Sequence, residues 1–164
     1  GFDIGAVIAN FLISYFSQDG HEAKNGGRDS YREWILQTLV QIWTGFEEQF
    51  LKLWREHQTG DAFPPSLFQG ELGLMKLEAE RRAYISRLWT DTVGFSAAKM
   101  IRRILSLAHN IDLEKIKDER MRATCEARAL TLARDMMVNP SGYPNIASVA
   151  AAAQQLRSWT PPLG

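Results

Sequence analysis

The sequence predicts an all-α fold, a helical bundle within a chain of 164 residues. Three observations carry that reading. Apolar residues recur three or four positions apart through most of the chain. No alternating apolar–polar run of useful length is present. Clusters of Gly, Pro, Asn and Asp fall between the periodic segments and separate them.

The elements follow in order. Asp3 is placed to cap a helix over about 4–18, and Asp19-Gly20 to end it. The polar stretch 20–28, with Asn25-Gly26-Gly27, reads as a mobile surface loop. Asp29 or Ser30 then caps a long helix to about Gln58, whose stripe runs Ile35, Leu39, Ile42, Phe46, Phe50, Leu53. Trp34, Trp43 and Trp54 widen the stripe until at least two other helices are needed to cover it. Residues 59–71 read as an ordered loop, because Phe63, Leu67 and Phe68 call for burial. A third helix is expected over about 72–93 and a fourth from Phe95 or Ser96 to His109, with Ser96 as its cap. Asp112 is expected to cap a short turn. A fifth helix covers about 118–138, Asn139-Pro140-Ser141-Gly142 turns the chain, and an alanine-rich helix runs over 146–159 until Pro161-Pro162 stops it. The apolar run from Ile4 to Phe16 is too short for a membrane span of about 20 residues, and it lacks the preceding positive charge of a signal peptide.

Composition narrows the function classes. Hydrophobic residues are 45% and charged residues 23%, which excludes disordered and fibrous chains. The single cysteine, Cys125, permits no intramolecular disulfide, so an intracellular, cytoplasmic setting is expected. Cys125 itself reads as a small core hydrophobe in mid-helix. His21, His57 and His109 are too dispersed for a zinc site. Neither a phosphate-binding glycine loop nor a nucleophile elbow occurs. The two halves differ in charge: residues 1–80 carry 12 acidic and 6 basic side chains, and residues 81–164 carry 7 and 13. No nucleic-acid motif accompanies the basic half, so an anionic small ligand or the acidic half itself is the expected counterpart.

Lys99, Arg102 and Arg103 are the leading candidate site. On a helix they share about 100° of arc, opposite Ala97, Ile101, Ile104 and Ala108. An ordinary solvated face would place acidic residues three or four positions away, as Glu78 does for Arg81 and Arg82. Those positions around Lys99, Arg102 and Arg103 hold no acid, so the cluster is read as facing an anionic ligand or an acidic partner elsewhere. Arg128 and Arg134 also lack intrahelical partners. Glu47-Glu48 reads as a solvated face.

At these residues the sequence resembles a known family, the S-methyl-5-thioribose kinases. The strings that carry the resemblance are Gly1-Phe2-Asp3-Ile4-Gly5-Ala6, 15–21, 31–36, the stretch from Ile42-Trp43 to Leu53-Trp54, and above all 94–104, followed by Leu107-Ala108-His109 and 125–130. It is strongest over about 1–57 and 93–137, weaker over 58–92, and unrecognised after Asn139. The resemblance implies the C-terminal, substrate-side helical subdomain (1–138) of a two-lobed kinase-like enzyme similar to aminoglycoside phosphotransferases and choline kinases, with 139–164 as a divergent helical tail. It implies transfer of the γ-phosphoryl group of ATP, with Mg2+, to the 1-hydroxyl of methylthioribose in methionine salvage, by a homodimer. It places Arg102 and Arg103 at the sugar site, and Asp3 as a possible brace for the catalytic loop.

The departures are as informative. No nucleotide lobe, ATP-binding lysine, His-Gly-Asp loop or acidic magnesium motif occurs in these 164 residues. The expectation is that ATP and Mg2+ are bound mainly outside this segment, and that the segment alone is inactive. The alternative is a stand-alone helical binding module or an inactive kinase paralogue.

Overall fold

A computed structural model describes residues 1–57 and 61–162. Its described residues form six α-helices and two short 3-10 turns, with no strand. The helices are α1 (Phe2–Asn25), α2 (Asp29–Glu56), α3 (Gly70–Leu105), α4 (Ile111–Glu114), α5 (Glu119–Val138) and α6 (Ile146–Arg157). The 3-10 turns are Pro65–Leu67 and Pro140–Gly142. The all-α reading holds.

α1 lies at the centre, packed against α2, α3, α4 and α5. Its Ile8, Leu12, Ile13 and Phe16 are buried against Val93, Ala97, Met100 and Ile104 of α3 and Cys125, Ala129, Leu132 and Met136 of α5. α6 closes the side near α2 and α5 by burying Ile146, Val149 and Ala153. The Ile, Leu, Val, Phe and Met side chains among them each contribute roughly 1.5–3 kcal/mol when fully buried.

Several expected boundaries shift, each for a packing reason. α1 does not stop at Asp19-Gly20 but runs to Asn25, so most of the expected 20–28 loop is helix. Gly20 is a contact point there: a β-carbon on it would collide with the Ile116 side chain. The expected third and fourth helices are one, α3, of 36 residues and about 54 Å. Gly94 costs that helix about 1 kcal/mol of propensity. The continuous burial of Thr92, Val93, Ser96, Ala97, Met100 and Ile104 outweighs it. Ser96 is therefore not a cap; it is buried mid-helix, and its hydroxyl has no hydrogen-bond partner. α3 ends at Leu105, short of His109.

Asp3 is not a cap either. Gly1 occupies that position, and Asp3 sits exposed in the first turn. Arg28 precedes α2 without a side-chain cap, and α2 ends at Glu56; the expected end at Gln58 lies outside the described residues. Asn110, not Asp112, caps α4, its Oδ1 accepting from the Asp112 backbone N–H at 2.8 Å. Asp118 caps α5 as the start of the expected helix. Asn145 caps α6 in a reciprocal box with Ser148, and α6 stops at Arg157 rather than Trp159.

α2 is covered by α1 and α6, and its distal half meets α3 through aromatic rings. Trp43 lies 4.5 Å from Trp89, centroid to centroid, and Phe50 stacks on Tyr84 at 5.8 Å. Trp34 departs from the expected core stripe: it is 51% exposed and stacks on exposed Tyr31. Leu67 is likewise exposed, while Phe63 and Phe68 are half-buried.

Candidate functional site

Lys99, Arg102 and Arg103 stand on the last two turns of α3. The C-terminal helix dipole favours cations there, with an effective charge of about −0.5, which offsets only part of three positive charges. Arg102 is exposed, and Lys99 and Arg103 are half-buried. None of the three forms an ion pair among the described residues.

The two arginines are held differently. Arg103 Nη1 donates to the Ala108 carbonyl at 2.9 Å and so ties down the segment after α3. Its Nε is buried without a partner. The Arg102 guanidinium makes no hydrogen bond among the described residues and is free to meet a ligand. Sequence reasoning treated the pair as equivalent; the α3 end separates them into one anchored and one free fork.

The first turn of α1 packs against the same helix nearby. A β-carbon on Gly5 would meet the Thr92 carbonyl at 2.8 Å, Phe95 Cβ at 2.9 Å and the Ser96 nitrogen at 3.0 Å. The crossing therefore sits one to two turns before Lys99 and Arg103. Phe2 packs edge-on to Phe95 at 5.4 Å. Asp3 shares this end of the bundle, with no ion pair or side-chain hydrogen bond among the described residues.

Among the described residues seven other arginines are paired with carboxylates, most of them around two acidic hubs. Glu78 gathers Arg55 at 2.5 Å, Arg81 at 3.4 Å and Arg82 at 3.8 Å. Asp19 is the larger hub. It meets Arg32 at 2.5 Å, Arg128 at 2.7 Å and Arg157 at 3.1 Å. Arg32 also pairs with Glu22 and Asp29, and Arg157 with Asp29 at 2.9 Å. Arg128 Nε donates to the Trp159 carbonyl at 2.8 Å. Arg128 is thus a strut between α5, α1 and the tail. Arg134 is exposed and has no second cation within a turn on either side.

Sequence spacing missed the Asp19 hub because its members are 13, 109 and 138 positions away, beyond any i,i+4 rule. An open cleft of about 500 Å3 borders it, lined also by Met121, Thr124, Gln154 and Ser158. Three arginines and three carboxylates balance there, so the cleft offers no surplus charge to an anion. The Glu22 carboxyl is held below its ordinary range by hydrogen bonds from the Arg32 side chain and the Arg28 backbone. Burial pushes the Cys125 thiol up to about 11, which suits an inert core residue.

Among the described residues no group of three or more His, Cys, Asp or Glu is arranged to hold a metal ion. No helix among them is long and apolar enough to cross a membrane.

No family model matches the chain. Individual proteins do. Two methylthioribose kinases of Oryza sativa subsp. japonica are each 38% identical over 157 residues, which is 94% of this chain and 36% of theirs. A methylthioribose kinase of Escherichia coli O45:K1 (strain S88 / ExPEC) is 37% identical over 153 residues, 93% of this chain and 36% of its own. The chain is a homologue of the methylthioribose kinases, matched along nearly all of its own length and along about a third of theirs.

Proposed function

We propose that these residues are the C-terminal, substrate-side helical part of an ATP-dependent kinase that phosphorylates the 1-hydroxyl of S-methyl-5-thioribose. The observation that carries the reading is the uncompensated cation cluster at the end of α3, in a chain homologous to kinases so named. Phosphoryl transfer depends chiefly on positioning and on stabilising charge spread over the transferred group. A guanidinium fork can hold sugar hydroxyls in one plane and face that charge. Arg102, exposed and unpaired, takes that part here. Arg103, tied to Ala108, fixes the chain beyond α3 and with it the floor of the site. Asp3, in the first turn of α1, is placed to brace a neighbouring catalytic loop through its free carboxylate.

ATP and Mg2+ do not fit the residues present. The chain offers no glycine-rich phosphate loop and no metal-binding group among its described residues. Both would be held by the remainder of a longer enzyme.

The test is kinetic. A complete enzyme carrying residues 1–164 is assayed for ATP-dependent phosphorylation of methylthioribose, with and without Arg102→Ala. The expected loss in kcat/KM is at least about 100-fold, or about 2.7 kcal/mol of transition-state stabilisation. A loss of less than about threefold would return Arg102 to a solvated face. Phosphorylation by residues 1–164 alone would refute the division of labour.

A further inference from the structure

Beyond α3 the chain turns through residues 106–110 before α4 begins. The turn is pinned at several points. The Ser106 N–H donates to the Arg102 carbonyl at 3.1 Å, and Arg103 Nη1 donates to the Ala108 carbonyl at 2.9 Å. Asn110 is buried where it caps α4. Between these pins stands Leu107, whose backbone neighbours are held while its own side chain is wholly exposed. Leu105, two residues earlier at the end of α3, is 68% exposed. A lone exposed leucine needs no explanation, whereas apolar side chains grouped on a held backbone mark a contact surface.

Arg102 lies in that surface. On a helical wheel Phe95, Ala98, Arg102 and Leu105 share an arc of about 80°, and all four are exposed. The free guanidinium therefore has carbon on both sides of it along the helix. Arg102 and Leu105 are separated by about 4.5 Å of helix rise, so one small molecule can touch both. A ligand that matches is polar at one end and apolar at the other.

We infer that Leu107, supported by Leu105, receives the methylthio group of the sugar whose hydroxyls meet Arg102, and sets the preference for a thioether over a hydroxyl at C5. The inference rests on the kinase reading above and adds to it the residue that selects the substrate. A thioether has no proton to donate and accepts only weakly. It therefore loses little on leaving water for a leucine surface, and the contact removes apolar area from water. The 5-hydroxyl of ribose would be left against the same carbon without a partner, which disfavours it. A carbon surface of this kind discriminates by about 10- to 100-fold. Arg103 holds the Ala108 carbonyl and so sets where Leu107 stands.

The complete enzyme carrying residues 1–164 is assayed with methylthioribose, with ribose as a competing sugar. Leu107→Ala is expected to raise KM for methylthioribose about tenfold with kcat within about twofold. Inhibition by ribose should stay as it was, so the preference narrows, and Leu107→Met should keep it. A second measurement reads binding without turnover. Leu107→Cys is labelled with a thiol reagent and its peptide followed by mass spectrometry, which separates it from other cysteines. Saturating methylthioribose should slow that labelling by at least about fivefold, and ribose at the same concentration should not. Equal protection by both sugars would overturn the inference. Labelling already blocked in the free enzyme would overturn it too, by assigning Leu107 to a contact with the rest of the chain. Wild-type enzyme that fails to phosphorylate methylthioribose would refute the kinase reading itself, whereas phosphorylation indifferent to Leu107→Ala would refute this inference alone.

Discussion

Gly5 and Gly94 should respond to the same substitution with opposite signs. At Gly5 the β-carbon of alanine would lie 2.8 Å from the Thr92 carbonyl, 2.9 Å from Phe95 Cβ and 3.0 Å from the Ser96 nitrogen. Two of these are backbone atoms of α3, so relief requires the two helices to part. Overpacking of this kind costs about 1–3 kcal/mol. Replacing a mid-helix glycine by alanine recovers about 1 kcal/mol of helix propensity. The net expectation for Gly5→Ala is a loss of up to about 2 kcal/mol. At Gly94, and at Gly45 on α2, a β-carbon meets nothing within 4 Å, so only the propensity gain remains. Gly94→Ala and Gly45→Ala should each stabilise by about 0.5–1 kcal/mol. In a chain of this size 1 kcal/mol moves Tm by about 2–4 °C. Urea denaturation at constant m-value, with matching thermal melts, gives the three signs directly. A Gly5→Ala variant as stable as Gly94→Ala would refute the close crossing of α1 and α3.

Four further predictions concern the charge hubs and the buried groups. Asp19→Asn removes the partner shared by Arg32, Arg128 and Arg157 and leaves Arg32, whose side chain is 3% exposed, with less compensation; a loss of about 3 kcal/mol is expected, and one below about 1 kcal/mol would mean that the hub is incidental. Glu22 and Glu78 are both held below the ordinary carboxyl range, chiefly by hydrogen bonds from Arg32 and Arg55. Their stabilisation is present above the unfolded pKa of about 4.3 and is lost as pH falls through the lower folded values, so Glu22→Gln combined with Glu78→Gln should flatten the acid limb of a stability–pH curve. Tyr143 is shifted the other way, upward by burial and by its hydrogen bond to Asp135; its contribution is present below the unfolded pKa of about 10 and fades as pH rises beyond it, and Tyr143→Phe should remove that alkaline fall. Cys125 should react with a thiol reagent only as fast as the bundle opens, and rapid stoichiometric labelling of the native chain would contradict its burial.

The fold class was legible because helical periodicity and punctuation are local properties. The start of the fifth helix at about 118 was legible, and Asp118 caps it there by accepting from the Met121 N–H within one turn. Gly94 and Asp19-Gly20 misled because a breaker residue signals an end only where tertiary burial does not override it. At Gly94 the α3 core residues continue on both sides, and at Gly20 the missing side chain makes room for Ile116. The basic cluster at 99–103 was visible as an absence of nearby acids. That same test could not separate it from Arg128, because the acid that satisfies Arg128 lies at the far end of the sequence. Nor could it tell Arg102 from Arg103: their difference rests on a carbonyl in the segment beyond the helix.

The arginines around Asp19 have a temporal meaning for a chain that emerges from a ribosome one end first. Arg32 is 13 residues downstream of Asp19, Arg128 is 109 and Arg157 is 138. A nascent chain can join α1 to α2 almost at once, but it must wait for α5 and then for α6 before the remaining two arginines arrive. Until then Asp19 is only partly neutralised and the groove beside α1 stays open. α6, the latest of these helices to be synthesised, thus supplies the remaining strut, and chains stalled before it should be caught as a partly closed bundle with α1 accessible to protease.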